Sequence, residues 1–277
     1  MTDLPIVRFR RDCELRQRVD VVRGAPRWSK GALRFGVNEL LTGATAAYAL
    51  RRGDLEVMIR HASSDTWVFR EVFLDGLYDQ ALGLLAGSKS PKIVDLGAHV
   101  GLFSVRAAAS HAGARIVAVE PDRLNLRVLR EVLERNARSS HEWTLVEACA
   151  ATQAGTARLV EDASYVSHAE SVGHPPAGFE AQPERSVTEV PAIDALPLID
   201  GAELVKMDIE GSEWAILEDP RLPGASVQHL FLEYHSWACP RPDPRAYAIE
   251  LVERAGFSLV HAPPAEEHQG VLLATRG

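Results

Sequence analysis

Short apolar runs alternate with helix-like segments along most of the 277-residue chain. The runs are rich in valine, isoleucine and leucine, as expected for strands that are buried on both faces of a sheet. They lie at 92–96, 115–120, 144–150, 204–209, 230–235 and, as a closing pair, between Phe257 and Ala274, and an alternating strand precedes them at 55–60. Segments with helical periodicity lie at 68–86 with a break at Gly76, 102–109, 124–136 and 245–255. Strands that alternate with helices predict an α/β fold, built on a mostly parallel sheet with helices on both faces.

Three segments fall outside this alternation. Residues 1–54 mix charged and apolar groups without a clear period, and they are predicted to form an N-terminal extension to a domain at 55–277. Residues 161–186 carry few aliphatic side chains, which predicts a mobile loop that acts as a lid or a substrate wall. Pro191, inside the apolar segment 187–193, favours a strand at the edge of a sheet.

Composition and charge narrow the functional class. The chain has 46% hydrophobic and 25% charged residues, no apolar run long enough to span a bilayer, and a charged start at Met1–Arg11 that does not resemble a secretory signal. We therefore expect a cytoplasmic enzyme without a membrane partner. The net charge of −8 gives no electrostatic reason to bind nucleic acid, and a homo-oligomer is compatible with the sequence. Cys13, Cys149 and Cys239 are too few and too widely separated for a disulfide framework or a zinc site.

The strand at 92–96 leads into a turn spaced by glycines, which is the most informative feature of the chain. Asp95 stands near the end of the strand, and Gly97 and Gly101 let the backbone approach a ligand before the next helix begins. Glu120 closes the following strand, where a carboxylate can accept hydrogen bonds from both hydroxyls of a ribose. Together these residues predict a nucleotide-binding βαβ unit.

The spacing of the turn separates the candidate nucleotides. A dinucleotide fold needs G-x-G-x-x-G so that a diphosphate can lie against the helix N-terminus. Here His99 occupies the position of the middle glycine and would crowd a diphosphate, and Asp95 would repel one. A cofactor that carries an amino acid and a sulfonium but no phosphate fits better, which indicates S-adenosylmethionine. Two alternatives stay open at this point: an NAD-dependent oxidoreductase, and a catalytically idle nucleotide-binding module.

A second set of polar residues follows the later strands. Asp208 and His235 each end an apolar strand. Ligands of parallel sheets bind outside the carboxyl ends of the strands, so both side chains should face the same crevice as Asp95 and Glu120. An unperturbed histidine pKa suits a general base near neutral pH, which predicts His235 as the base. Asp208 is predicted to position the substrate or an amine of the cofactor.

Each of the further polar residues near this edge is compatible with two roles. Glu210 and Glu213 flank a glycine where a helix begins, and that position is compatible with a cap and with a substrate contact. Tyr78, in the helical segment before the glycine turn, is predicted to line the substrate side of the site or to belong to the core. Nothing in the spacing of Asp208, Glu210 and Glu233 requires a metal, and we predict a site without one.

Four blocks of the sequence resemble the motifs of a known enzyme family. The blocks are Val94–Ser104, Val119–Pro121, Lys206–Glu213 and Leu232–His235, with a weaker match at 65–78. The Lys-x-Asp-x-Glu-Gly-x-Glu spacing of the third block is the most specific of them. Over roughly 55–240 the chain resembles the FkbM family of class I S-adenosylmethionine-dependent methyltransferases. The resemblance implies a seven-stranded Rossmann-like sheet and methyl transfer to a small molecule, mostly to a hydroxyl oxygen of a natural product or sugar.

The resemblance also implies roles for individual residues. Asp95 and the two turn glycines would cradle the methionine part of the cofactor, and Glu120 would hold the ribose. Glu147, which could equally be a surface residue, would flank the adenine together with Ala148. The predicted cofactor-binding set is Asp95, Gly97, His99, Gly101, Glu120, Glu147, Ala148 and Asp208. The predicted catalytic residues are His235 and Asp208, and the predicted substrate contacts are Glu210 and Tyr78.

Overall fold

A seven-stranded sheet forms the centre of the molecule in a computed structural model that describes residues 16–52, 54–161, 168–170, 186–266 and 268–277. The β-strands are β1 (Thr45–Ala49), β2 (Glu56–Arg60), β3 (Lys92–Leu96), β4 (Arg115–Val119), β5 (Glu142–Val146), β6 (Cys149–Ala151), β7 (Gly155–Glu161), β8 (His168–Glu170), β9 (Ser186–Asp194), β10 (Leu204–Met207), β11 (His229–His235), β12 (Ser258–His261) and β13 (Gln269–Thr275). The α-helices are α1 (16–24), α2 (Ala32–Val37), α3 (Ser64–Phe69), α4 (Asp79–Gly83), α5 (Leu102–Ser110), α6 (Arg123–Asn136), α7 (Ala195–Ile199), α8 (Glu213–Glu218) and α9 (Pro244–Arg254). Two π-helical turns cover Asn38–Thr42 and Arg70–Asp75, and three short 3-10 turns cover Ala25–Arg27, Leu222–Gly224 and Ser236–Ala238.

The central sheet has the strand order β12, β13, β11, β10, β3, β4 and β5. Neighbouring strands from β11 to β5 are parallel, and β13 is antiparallel to both of its neighbours. Side chains alternate between the two faces of a strand, so each face carries its own hydrophobic core. Ile93 of β3 packs in one core with residues of α5, and Val94 packs in the other with residues of α8 and α9. The predicted fold, a mostly parallel sheet with helices on both faces, is confirmed.

The predicted strand at 144–150 is two strands in the structure. β5 ends at Val146, which pairs with Val119 of β4, and the chain then leaves the central sheet. β6 joins a second, four-stranded sheet with the order β6, β9, β7 and β8. Glu147 and Ala148 therefore lie in the connection between the two sheets. The apolar run shows no break because both halves are strands, and only their different partners separate them.

The predicted edge strand at 187–193 is confirmed only in part, because β9 pairs with β7 alone over 187–191 and gains β6 as a second neighbour from Ala192. β6 pairs with β9 only at Ala192–Asp194, whereas β7 pairs with it from Ser186 to Ala192. Pro191 lies just before the part with two neighbours, so its missing N–H need not interrupt a ladder on the β6 side. Of the predicted mobile loop at 161–186, the structure describes β8 and the adjoining ends of β7 and β9. The rest of that loop lies outside the described residues.

The predicted helix at 68–86 is also divided. The predicted break at Gly76 is confirmed, and this residue has a left-handed conformation with φ 72°. Before it, α3 passes into the π-helical turn Arg70–Asp75, and after it the chain starts again as α4. The left-handed glycine ends the first helical unit, because the backbone turns away from the helix axis there.

The first described residues pack against the rest of the chain. β1 pairs antiparallel with β2. Phe35 of α2 has its ring 5.0 Å from that of Tyr48 and 5.4 Å from that of Phe69, and all three belong to one hydrophobic core. The predicted boundary between residues 54 and 55 falls between two paired strands, and the division into extension and domain stays a prediction.

Few structural observations test the predictions made from composition. Among the described residues, Cys149 and Cys239 are free thiols, and Cys13 lies outside them. The part of the chain that the structure describes contains no helix long and apolar enough to cross a membrane.

A buried carboxylate, that of Glu39 in the first π-helical turn, joins the N-terminal segment to the chain that follows β2. Its Oε2 lies 2.8 Å from His61 Nδ1 and accepts hydrogen bonds from Thr66 Oγ1 at 2.8 Å and from the Ala62 N–H at 3.2 Å. Its Oε1 accepts a hydrogen bond from Arg18 Nε at 2.6 Å. Burial raises the pKa of Glu39, but the hydrogen bonds outweigh it, and the pKa lies below its ordinary value. The carboxylate is therefore ionised and fully engaged.

Replacement of Glu39 by alanine should lower the free energy of unfolding by about 3 kcal/mol, because it leaves His61 and Thr66 without their buried acceptor. Urea denaturation measures this loss. Glu134→Ala, at an exposed position of α6, is the matched control and should change the free energy of unfolding by less than about 0.5 kcal/mol. Equal losses in the two variants would contradict the role assigned to Glu39.

Candidate active site

Four of the predicted site residues lie at the carboxyl edge of the central sheet. Asp95 is on β3, Glu120 follows β4, Asp208 follows β10 and His235 ends β11. These strands are parallel and adjacent, in the order β11, β10, β3 and β4, so their carboxyl ends open into one crevice. The sequence analysis placed these side chains together for this reason, and the sheet topology supports that placement.

Two glycines shape the turn at the base of this crevice. Gly97 has φ 80°, and a Cβ there would lie 1.9 Å from the carbonyl oxygen of Asp208. Only glycine therefore allows the ends of β3 and β10 to approach so closely. Gly101 has φ 84° and precedes α5, where a Cβ would lie 2.7 Å from Leu129 Cδ1. Between the glycines, His99 has φ 53° and donates its backbone N–H to Glu120 Oε2 at 2.8 Å, which fastens the turn to the end of β4.

Glu120 is almost fully buried and accepts three hydrogen bonds. Besides the His99 N–H, the Asp122 N–H at 2.9 Å and Asn125 Nδ2 at 3.2 Å donate to Oε1. Burial raises the pKa of Glu120 to about 7, although the hydrogen bonds act to lower it. Both oxygens keep lone pairs, so the carboxylate can accept hydrogen bonds from a ligand when it is ionised.

A buried lysine holds the two central acids together. Lys206 Nζ donates to the carbonyl oxygen of Gly97 at 2.7 Å and lies 3.2 Å from Asp208 Oδ2 and 3.4 Å from Asp95 Oδ1. Asp95 is completely buried, and its Oδ2 accepts a hydrogen bond from Ser104 Oγ at 2.6 Å. Burial raises the pKa of Asp95. The pKa of Asp208 would also rise through burial, but the charges of Lys206 and His235 lower it below its ordinary value.

His235 has two carboxylates beside its ring. Nδ1 lies 3.1 Å from Glu213 Oε1, and Nε2 lies 3.3 Å from Glu210 Oε2. Burial lowers the pKa of His235, but the hydrogen bond and charge of Glu213, followed by the charges of Glu210 and Asp208, raise it to about 10. The ring is therefore protonated on both nitrogens and positively charged at neutral pH. The prediction of a base rested on an unperturbed pKa, and these neighbouring acids change that premise.

Further carboxylates lie close enough to Asp208 to feel its charge. Glu233 lies on β11, and Glu71 lies in the second π-helical turn. Burial raises the pKa of Glu71 to about 7, with a further rise from the charge of Asp208. Burial also raises the pKa of Glu210 to about 7 and that of Glu233 well above its ordinary value. Asp208, Glu233 and His235 each offer a ligand atom, and these atoms lie within 4.8 Å of one another, so the three residues could hold a metal ion.

A network outside the glycine turn fixes the ring of His99. Arg60 Nη2 donates to Asp65 Oδ1 at 2.6 Å and to Asn125 Oδ1 at 2.8 Å, and it lies 3.3 Å from His99 Nε2. Burial lowers the pKa of His99 to about 4, so the ring is neutral. Its Nδ1 is buried and has no hydrogen-bond partner among the described residues. A buried nitrogen without a partner at this turn is a group that a bound ligand can satisfy.

Three further predicted residues, Tyr78, Glu147 and Ala148, have different surroundings. Tyr78 is buried, with its ring 4.7 Å from that of Phe103 and 4.6 Å from that of Phe231, so it belongs to the core. Glu147, after β5, is exposed and accepts a hydrogen bond from Arg130 Nε at 2.7 Å, whereas Ala148 is buried. The functional roles of all three stay predictions.

The sequence analysis did not assign Lys206, Arg60 or Glu71 to the site. Lys206 did carry a signal, because a lone cation between apolar Val205 and Met207 in a buried strand needs an acidic partner. Arg60 and Glu71 carry no comparable signal. Their contacts join segments that are far apart in the chain, and local patterns do not report such contacts.

Replacement of Lys206 by methionine should lower the free energy of unfolding by about 3–5 kcal/mol, because Asp95 then lies buried without a counter-charge. A second substitution, Asp95→Asn, should recover at least about 1 kcal/mol in the double variant, since it removes the uncompensated charge. A double-mutant cycle in urea measures both effects. Lys89→Met, at an exposed position, is the control. Independent, additive effects of Lys206→Met and Asp95→Asn would show that the two charges are not coupled.

Comparison with known proteins gives one family match and several structural likenesses. Residues 95–259, more than half of the chain, match the family model described as the methyltransferase FkbM domain. No curated protein matches the chain.

Three solved structures that resemble this chain have TM-scores below 0.5. An FkbM methyltransferase from Methylobacillus flagellatus KT has 18% identity and a TM-score of 0.47, over 94% of this chain and 58% of that chain. Magnesium protoporphyrin IX methyltransferase from Synechocystis PCC 6803 with bound SAM has 14% identity and a TM-score of 0.45, over 76% of this chain and 81% of the other. Precorrin-6y C5,15-methyltransferase from Geobacter metallireducens GS-15 has 16% identity and a TM-score of 0.43, over 73% and 88%.

The crevice suits the cofactor of such enzymes. Asp95, Glu120 and Asp208 would repel a diphosphate, but they can accept hydrogen bonds from the amine and the ribose of a phosphate-free nucleoside. The buried Nδ1 of His99 has no hydrogen-bond partner among the described residues, whereas Oδ1 of Asp95 lies 3.4 Å from Lys206 Nζ. The family match does not favour the NAD-dependent oxidoreductase. The chain belongs to the FkbM family of class I methyltransferases, and its cofactor is S-adenosylmethionine.

Proposed function

We propose that the protein transfers a methyl group from S-adenosylmethionine to a hydroxyl oxygen of a small molecule, such as a natural product or a sugar. The observation that carries the proposal is the group of carboxylates, Asp208, Glu233 and Glu71, beside the glycine turn. Carboxylates at this position can orient a hydroxyl group and take up its proton. S-adenosylmethionine, when bound, supplies a methyl group on a sulfonium sulfur, which keeps the bonding electron pair as the acceptor oxygen takes the methyl.

The ends of β3, β4 and β5 would hold the cofactor. Asp95 and the backbone of the glycine turn face its methionine part, and the free Nδ1 of His99 offers a further hydrogen bond there. Glu120, already fixed by three N–H donors, accepts the ribose hydroxyls. Ala148, which is buried in the connection after β5, flanks the adenine together with Glu147. These residues position the methyl group, and proximity supplies much of the rate enhancement in a displacement of this kind.

The ends of β10 and β11 would hold the acceptor. Asp208 stays ionised and accepts a hydrogen bond from the acceptor hydroxyl, and Glu210 lies at the same edge. His235 keeps its proton at neutral pH, so we assign it to positioning and not to the first proton transfer. Glu71 has a pKa of about 7, which matches a general base at neutral pH, and we assign the proton to it.

Incubation of the protein with S-adenosylmethionine and a panel of hydroxyl-bearing natural products and sugars should release S-adenosylhomocysteine and yield methyl ethers. Mass spectrometry and NMR of the product identify the methylated atom. The same compounds with each hydroxyl already methylated are the control and should give no turnover. With the best acceptor, Glu71→Gln should lower kcat by about a hundredfold or more, since the base is lost. Products methylated only at nitrogen would overturn the proposal.

The affinity for S-adenosylhomocysteine should depend on pH through Glu120. The ionised carboxylate accepts the ribose hydroxyls, and its pKa without ligand is about 7. Protonation therefore competes with binding, and the dissociation constant should rise as pH falls below 7, by at most about tenfold per pH unit for one proton. Isothermal titration between pH 5.5 and 8 measures this slope.

Glu120→Gln should bind about tenfold more weakly at pH 8 and lose most of the slope, because an amide cannot change its charge. Glu142→Gln, an exposed carboxylate on β5, is the control and should keep the affinity and slope of the wild type. An unchanged slope in Glu120→Gln would remove Glu120 from the ribose site.

A further inference from the structure

We infer that Asp208, Glu233 and His235 form a binding site for one divalent metal ion, of the type of Mn²⁺. Their three ligand atoms all lie within 4.8 Å of one another. Around an octahedral ion with bonds of about 2.1 Å, adjacent ligand atoms are about 3 Å apart and opposite ones about 4.2 Å. The observed spacing therefore needs only small side-chain movements to close around an ion. The inference departs from the sequence prediction of a metal-free site.

The surroundings of His235 are those of a metal ligand. Glu213 Oε1 accepts the backbone N–H of His235 at 2.6 Å and lies 3.1 Å from Nδ1. Glu213 is completely buried and fixes the ring at Nδ1, and an ion that binds Nε2 would displace the proton that this nitrogen carries at neutral pH. Histidines that bind metals usually have such a carboxylate on the other ring nitrogen. Oε2 of Glu210 lies 3.3 Å from Nε2 and is close enough to become a fourth ligand.

The charges of the site also favour a cation. The carboxylates of Glu233 and Glu71 make no hydrogen bond or ion pair with the described residues, although both side chains are partly buried. Lys206 Nζ lies 3.2 Å from Oδ2 of Asp208. Lys206 and the protonated His235 therefore face three carboxylates, those of Asp208, Glu233 and Glu71, on this side of the crevice. Carboxylates withdrawn from water are stable when they are paired or when they coordinate a metal.

The donor set indicates which ion would bind. Carboxylate oxygens suit Mg²⁺, Ca²⁺ and Mn²⁺, and imidazole nitrogen suits the transition metals, so a site with both should prefer Mn²⁺ to Mg²⁺. Three protein ligands leave positions open on an octahedral ion. This step rests on the proposed function: an acceptor hydroxyl bound to the ion would have a lowered pKa and would pass its proton to Glu71.

Titration of the full-length protein with Mn²⁺, followed by the electron paramagnetic resonance signal of the free ion, tests the site without any turnover. The wild type should bind one ion per chain, and Glu233→Gln should bind it about tenfold more weakly or worse. Glu250→Gln, an exposed carboxylate on α9 with the same chemical change, is the matched control and should bind as the wild type does. Pulsed spectra of the bound ion should show nitrogen coupling that His235→Gln removes.

Affinity for S-adenosylhomocysteine is measured on the same samples, because it reports the fold and the cofactor site separately. Glu233→Gln should keep that affinity. Its weaker Mn²⁺ binding would then not be due to unfolding. Absence of saturable Mn²⁺ binding by the wild type, equal binding by Glu233→Gln, or bound Mn²⁺ without nitrogen coupling would each overturn the metal site. If the wild type does not bind S-adenosylhomocysteine, that result would instead overturn the proposed function.

Discussion

The active edge of this protein depends on one positive charge inside the sheet. Lys206 lies on β10, which has a neighbour on both sides, and its ammonium group meets Asp95, Asp208 and the carbonyl oxygen of Gly97 where the strands end. Without that charge, two carboxylates from adjacent strands would repel one another in a crevice with little water. With that charge in place, the ends of β3 and β10 can approach as closely as Gly97 allows, because this residue has no Cβ.

The crevice has two halves with different electrostatics. On the side of β3 and β4 the acids are satisfied, since Lys206 faces Asp95 and N–H donors surround Glu120. On the side of β10 and β11 the negative charge is in excess, because Glu233 and Glu71 have no such partners. The first half has the acceptors that our proposal assigns to the amine and the ribose of S-adenosylmethionine, and the second half has the carboxylates that it assigns to the metal ion and the acceptor hydroxyl.

Support for the cofactor turn comes from residues at the beginning of the described chain. β1 pairs with β2, and Arg60, the last residue of β2, bonds to Asn125 of α6 and lies beside His99. Asn125 in turn donates to Glu120. The N-terminal residues therefore reach the carboxylate of Glu120 through three contacts, although β1 and β2 do not belong to the central sheet. A substitution that disrupts β1 should therefore alter the glycine turn through these contacts.

The sequence by itself determined the succession of strands and helices, the glycine turn and the family, because periodicity and spacing are local properties of the chain. It also placed Asp95, Glu120, Asp208 and His235 at one edge, since parallel strands end together. Only the tertiary structure decided that Lys206 joins Asp95 and Asp208, that the chain changes sheets after Val146, and that His235 is protonated without an ion. A side chain's charge state depends on burial and on groups from distant segments, and no local pattern in a sequence records those neighbours.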